Sequence, residues 1–305
     1  MKTITVLGKD FDANDSFGME RSHNPYGGLL VGAEQKARRI IEERGYSFHS
    51  QQELPPEKAD VILCVDLSPE LDAHIRQCPD SSRKILLLEE APLHSSYTIQ
   101  QPHNSYLQPM WERIITWNRS YEAEYITHFD LPFDFCCAPT PPATTAQNAG
   151  LAFVSNTPDE RQGLIRRKHY LCQALHKAGQ VELLRFGGAP AGAMANPARI
   201  EKLAGRPFGL AIEDTWLSGY VSELLPACIM AGIPAIYWGD VTTAERRFPG
   251  TFIALDEISM AAFNHAKAEL ETRREELNRH IQECQAKIQE WPTSFVNALT
   301  EIGWG

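Results

Sequence analysis

Residues 208–240 read FGLAIEDTWLSGYVSELLPACIMAGIPAIYWGD. Two continuous apolar runs, Phe208–Ile212 and Ala235–Trp238, flank a helix predicted over Val221–Ala231. Strand, helix and strand in this order, with strands apolar on both faces, is the pattern of a parallel sheet covered by helices. The first run ends in Glu213-Asp214-Thr215, and a loop with Gly219 follows. Tyr220-Val221-Ser222-Glu223 then opens the helix, and the second run ends in Tyr237-Trp238-Gly239-Asp240. Acidic and aromatic side chains therefore gather at strand and helix ends, where α/β sheets bind ligands. Carboxylates there accept hydrogen bonds from sugar hydroxyls, and a ring covers a sugar or base face. Helix capping accounts for Ser222 and Glu223 as readily.

Working outward, the same alternation recurs. Leu151–Ser155 and Val181–Phe186 read as strands around a helix at Gln162–Ala178, and Val181–Phe186 runs into Gly187-Gly188. Thr251–Ala254 is a further strand. Ser259–Trp291 is a long charged helical stretch with room for one break. In the first half, strands are expected at Thr3–Gly8, Asp60–Val65, Lys84–Leu88 and Ile114–Trp117, with helices at Ala33–Gly45 and Pro69–Cys78. Ala138–Gly150 (APTPPATTAQNAG) has prolines, small polar residues and no apolar periodicity, and is the expected linker. The fold class is thus α/β, with two Rossmann-like, doubly wound domains facing a cleft. Residues 1–140 would form the first domain and 150–290 the second. The tail 291–305 would pack back on the first.

Composition bounds the function. The chain has 305 residues, 43% hydrophobic and 22% charged, which excludes a mainly disordered state. Its net charge of −10 disfavours DNA, RNA and anionic membranes as non-specific partners. Seven cysteines, an odd number without C-x-x-C, argue for reduced thiols rather than a disulfide framework or a zinc ribbon. The ten histidines show no H-x-x-x-H or H-E-x-x-H spacing, so no metal ligands are assigned. Neither a signal peptide nor an integral membrane segment is legible, and a cytoplasmic protein, at most peripheral to the inner membrane, is expected.

The segment resembles the donor-binding half of the glycosyltransferase family 10 α1,3/4-fucosyltransferases, whose motif runs F-x-L-x-F-E-N-[ST]…G-Y-V-T-E-K…I-P-[IV]-x-x-G. The matches are Phe208, Leu210, Glu213, Thr215, Gly219, Tyr220, Val221, Glu223, Ile233, Pro234 and Gly239. Further stretches agree in order: Phe153-Val154-Ser155-Asn156 with Arg166, Arg167 and Tyr170; Phe186-Gly187-Gly188; and Phe248-Pro249-Gly250-Thr251-Phe252-Ile253. In the first half Glu90-Ala91-Pro92 is similar to the family's E-S-P, and Thr116-Trp117-Asn118…Tyr121 to its N-W-T-x-S-Y region. The resemblance covers about residues 84–256.

It implies a GT-B fold, an N-terminal acceptor domain and a C-terminal donor domain. The implied reaction is inverting transfer of L-fucose from GDP-fucose to a hydroxyl of a saccharide or lipid-linked glycan acceptor, with no obligatory metal or cofactor. Inversion needs a base for the acceptor proton and positive or dipolar groups at the departing diphosphate. Glu90 is the candidate base and Glu89 its alternate. A plain loop carboxylate is the competing reading. The resemblance places Arg166 at the diphosphate, with Arg167 as alternate and Lys168 adding positive charge, although a basic helix surface explains all three. Glu223 and Tyr220 would meet the donor's sugar or ribose. Ser155, Asn156, Gly187, Gly188, Glu213 and Asp214 complete the implied donor site.

Two departures matter. The lysine that follows the glutamate of Y-V-T-E-K is Leu224 here, and the asparagine of F-E-N is Asp214. One cation is lost and one anion gained near the leaving group. Arg206 is offered as the substitute cation. A different nucleotide-sugar donor, or a non-catalytic nucleotide-sugar-binding protein, are the alternatives.

Overall fold

Strands buried on both faces need no alternation, only length and apolarity. That property builds two parallel sheets here. The computed structural model describes residues 1–8, 31–88, 110–133, 138–142, 148–155, 163–186 and 196–304. Two compact units emerge: one of Met1–Asn24, Gly28–Asp134 and Pro292–Gly305, the other of Pro25–Gly27 and Phe135–Trp291.

In the first unit β1 (Lys2–Gly8), β2 (Tyr46–Ser50), β3 (Val61–Val65), β4 (Arg83–Leu88), β5 (Arg113–Thr116) and β6 (Ile126–His128) form a six-stranded sheet. Its order is β2-β1-β3-β4-β5-β6, every pairing parallel. Helix α1 (Val31–Glu43) precedes β2, and α2 (Pro69–Ile75) follows β3. Ser68 caps α2 by accepting a hydrogen bond from Leu71 N–H at 3.2 Å. The tail segment forms helix Thr293–Thr300 and packs on this unit. Phe295 meets Phe129 edge-on at 5.1 Å, and Trp304 meets Tyr46 likewise at 5.1 Å. Arg44 donates to the Thr300 carbonyl.

In the second unit β7 (Gly150–Ser155), β8 (Val181–Phe186), β9 (Gly209–Ile212), β10 (Ala235–Trp238) and β11 (Phe252–Ala254) form a parallel sheet of order β11-β10-β9-β7-β8. Its helices are α3 (Gly163–Lys177), α4 (Asn196–Leu203), α5 (Leu224–Met230), α6 (Val241–Arg247), α7 (Met260–Thr272) and α8 (Arg274–Ala286); the tail helix is α9. Every residue of α5 is buried, so it is the central helix of this unit. Phe208, Phe263, Leu270 and Leu277 lie in one core cluster with β7 and β9 residues.

Several expectations change. Strands β2 and β6, and helices α4 and α6, were not read from the sequence. The helix expected over Val221–Ala231 begins at Leu224, because Glu223 takes the N-cap position. The stretch Ser259–Trp291 breaks at Arg273, between α7 and α8. The expected linker is partly built into the second unit. Thr140 N–H donates to the Met230 carbonyl at 2.7 Å, and Gln285 Nε2 donates to the Thr140 carbonyl at 2.7 Å. Among the described residues, Cys64, Cys78, Cys172, Cys228 and Cys284 are free and buried. Among the described residues no helix is long and apolar enough to cross a membrane.

Gly232 ends α5's connection with φ +70°, and a Cβ there would sit 2.4 Å from the Thr140 carbonyl oxygen. Both the left-handed backbone and the contact exclude a side chain. Gly232→Ala is expected to destabilise the protein by about 1–3 kcal/mol, read as a lowered urea midpoint at unchanged slope.

Candidate functional site

The carboxyl end of the second sheet gathers charge. Glu213 follows β9 directly and is only 1% exposed. Its Oε1 accepts the Ser222 N–H at 2.9 Å, and the Ser222 hydroxyl bonds the same carboxyl. Burial raises its pKa to about 7, with the Glu223 charge adding to the rise; the Ser222 bonds and Lys168 oppose it. Gly239, at the end of β10, is the residue that lets this happen. A Cβ there would meet the Tyr237 hydroxyl at 2.4 Å and Glu213 Cγ at 2.6 Å.

Asp214 stands beside Glu213 and pairs with Lys168 of α3 at 2.8 Å. The lysine is 3% exposed at its side chain and the carboxylate 30%. Glu223 pairs with Arg199 of α4 at 3.3 Å, with exposures of 25% for the acid and 4% for the arginine. Both pairs thus have the same polarity: cation inside, carboxylate toward the opening. A cation so buried is stable only with its partner in place. The Tyr220 phenol is pushed far up by burial, and next by the charges of Glu213, Glu223 and Asp214, which places those acids around one ring. Tyr237 is fully buried, and its phenol is raised by burial and by Glu213.

The connecting loop is braced. Asp240 Oδ2 accepts the Gly219 N–H at 2.7 Å while Oδ1 accepts Thr243 N–H at 3.3 Å, capping α6. Gly219 takes φ +93°, which a side chain would disfavour. Asp240 is therefore a brace rather than a ligand acid. On this loop Trp216 is 65% exposed.

Neither Ser222 nor Glu223 caps α5 through its side chain. Ser222 Oγ accepts the Leu224 N–H at 3.3 Å, a local turn bond. The Glu223 side chain makes no capping bond and reaches Arg199 instead. Arg166 and Arg167 are on the exposed face of α3, and the Arg166 guanidinium lies over the Tyr170 ring at 5.4 Å. Lys168, on the buried face, is the basic residue of that run that reaches the acids. Arg206 is corrected. It precedes β9 at the amino end of the parallel strands, paired with Glu182 at 2.7 Å, opposite the end that carries Glu213. A cavity of about 490 Å³ lined by Leu151, Glu182, Leu184, Ala198, Lys202 and Arg206 lies at that amino end too. Ser155 ends β7 and pairs with Phe186. Asn156, Gly187, Gly188, Glu89 and Glu90 lie outside the described residues.

In the first unit the Thr116–Tyr121 stretch forms a closed turn. Asn118 Oδ1 accepts Ser120 N–H at 3.0 Å, and its own N–H bonds Thr116 Oγ1 at 3.1 Å. Burial pushes the Tyr121 phenol up to about 12. Asp66, after β3, is buried with φ +51°. Sequence reading singled out neither Asp66 nor Arg199.

No protein-family model matches the chain, and no curated protein matches it in sequence. Solved structures do match in fold. One is described as an alpha1,3-fucosyltransferase, 14% identical, covering 98% of this chain and 90% of that one with a TM-score of 0.58. A structure described as an alpha1,3-fucosyltransferase with GDP-fucose matches at 13% identity over 98% of this chain and 90% of that one, TM-score 0.54. An alpha-glucosyltransferase in complex with UDP and a 13-mer DNA matches at 10% identity over 99% of both chains, TM-score 0.55. Two Rossmann-like units with parallel sheets, as in these GT-B glycosyltransferases, are the fold of this chain.

Glu213→Gln tests the buried carboxyl. Below pH 4.5 Glu213 is protonated folded or unfolded, and burial exacts nothing through ionisation. Between 4.5 and about 7 the unfolded chain releases the proton and the folded one keeps it, so stability falls as pH rises. The variant, which still offers Ser222 an acceptor oxygen, should lack that fall. Relative to wild type it gains up to about 3 kcal/mol between pH 4.5 and 7.5, measured by denaturant unfolding across that range.

Proposed function

We propose that the chain is a glycosyltransferase that takes a sugar from a nucleotide sugar, with inversion, and places it on a hydroxyl of a saccharide or lipid-linked glycan. The observation that carries this reading is the set of half-exposed carboxylates, Asp214 and Glu223, held by buried Lys168 and Arg199 around Tyr220. Fixed carboxylates at the carboxyl end of a parallel sheet suit sugar hydroxyls, and the buried cations behind them keep the acids ionised and in place. The fold likeness to an alpha1,3-fucosyltransferase structure holding GDP-fucose supports the same class of donor. GDP-fucose is the donor that the sequence motif favours.

In the proposed reaction Glu90 takes the acceptor proton as the acceptor oxygen bonds the anomeric carbon. The bond from that carbon to the diphosphate oxygen breaks on the opposite face, and the nucleoside diphosphate leaves. The second unit is the donor side and the first the acceptor side. Lys168 answers the apparent excess of negative charge: Asp214 does not add a bare anion, because its partner is already there. Leu224 keeps its departure from the motif, being buried in α5. A second reading changes the donor, and the UDP-bound alpha-glucosyltransferase of similar fold favours including uridine nucleotides in the test. That neighbour's structure also contains DNA, but a net charge of −10 repels such a polyanion.

Thermal shift with GDP, UDP, ADP and CMP identifies the nucleotide, since a ligand of the folded form raises Tm. GDP is expected to give the largest shift. Glu223→Gln should weaken nucleotide-sugar binding about tenfold or more while leaving the free nucleotide nearly unaffected, consistent with about 1.5–3 kcal/mol for a charged hydrogen bond. Glu90→Gln should abolish transfer and keep nucleotide binding. A chain that binds none of the four nucleotides ends this reading.

A further inference from the structure

A second group of chemically active side chains lies in the first unit, apart from the donor-side acids. Glu57 sits in a 3₁₀ turn, Pro56–Lys58, and His74 in the last turn of α2, with Cys78 one turn beyond. His74 Nε2 is 2.8 Å from Glu57 Oε1. A carboxylate oxygen, an imidazole nitrogen and the Cys78 sulfur all lie within 4.8 Å of one another. The Cys78 thiol donates to the His74 carbonyl at 3.6 Å, which holds its sulfur beside the imidazole and the carboxylate.

Thiolate, imidazole and carboxylate together are the donor types of zinc-class ions. The burial is graded: Cys78 buried, His74 half-buried, Glu57 exposed, so the group opens to solvent on one side and gives an entry path. Lys84 Nζ donates to the Cys78 carbonyl at 3.2 Å. Burial, and then the Glu57 charge, push the Cys78 thiol up, and the Lys84 charge opposes them. No sequence spacing announces this set, because Glu57 comes from a separate turn.

We infer that Glu57, His74 and Cys78 form a binding site for a zinc-class divalent metal ion, with water completing the coordination. On binding, the His74–Glu57 hydrogen bond opens to admit the ion. The Cys78 S–H bond breaks, its proton goes to solvent, and a metal–sulfur bond forms. The ion then clamps the Pro56–Lys58 turn to the end of α2. The site does not depend on the glycosyl-transfer reading.

The test uses the full chain with Co²⁺ as the probe. A thiolate-to-cobalt charge-transfer band should appear, and Zn²⁺ should displace it and raise Tm. Cys78→Ser should remove the band. Because Cys78 also packs with Ile75 and Leu86 in the core, the second arm is His74→Gln and Glu57→Gln at accessible positions. Each is expected to weaken Co²⁺ binding about tenfold or more, by comparison with the 10–100-fold losses seen when metal-site neighbours are removed. Absence of the band in wild type overturns the site, as does a band whose affinity is unchanged in His74→Gln.

Discussion

A carboxyl group taken out of water must be given its hydrogen bonds or its proton. Glu213 receives both, and the second unit is arranged around that requirement. Ser222 supplies two donors, which fixes the loop from Thr215 to Glu223 against the end of β9. Gly239 leaves the space, Tyr237 closes it from below, and Asp240 holds the loop's other side through Gly219. With the loop so placed, Asp214 and Glu223 fall where Lys168 and Arg199 can meet them. Replacing the central acid by an apolar residue would strand the Ser222 N–H in a dry interior.

The internal cations give the site a preset electrical shape. Lys168 and Arg199 belong to helices that follow β7 and β8, whereas their partners follow β9 and open α5. Three strand-to-helix crossings therefore converge on one spot, as carboxyl ends of a parallel sheet require. Side chains fixed in this way have little rotamer freedom left to lose when a ligand arrives.

Much of this was legible in the sequence, for a definite reason. Central strands such as Val61–Val65, Ile85–Leu88 and Leu210–Ile212 are covered on both faces and appear as unbroken apolar runs. The edge strands of the six-stranded sheet lack that mark. β2 and β6 close the two sides of the six-stranded sheet, and YSFHS and ITH carry too few apolar residues to stand out. The acids of the site could be read from local motif spacing. Their pairing with cations could not, although Lys168 was singled out, because Lys168 lies 46 residues from Asp214 and Arg199 lies 24 from Glu223, and only the fold brings them together. Arg206 failed for the converse reason: nearness in sequence to β9 put it at the wrong end of the strand.

The first unit is not contiguous in the chain. Its α1 and β2 are covered by α9 and Trp304, which come after the whole of the second unit. During synthesis the ribosome releases the six strands long before their covering helix exists. Until then the apolar face of α1 lacks the cover that α9 supplies, while residues 135–291 emerge. Vectorial translation thus makes the later unit the earlier one to finish, and a tag or fusion that hinders residues 292–304 would strike first at the folding yield of the opposite end of the polypeptide.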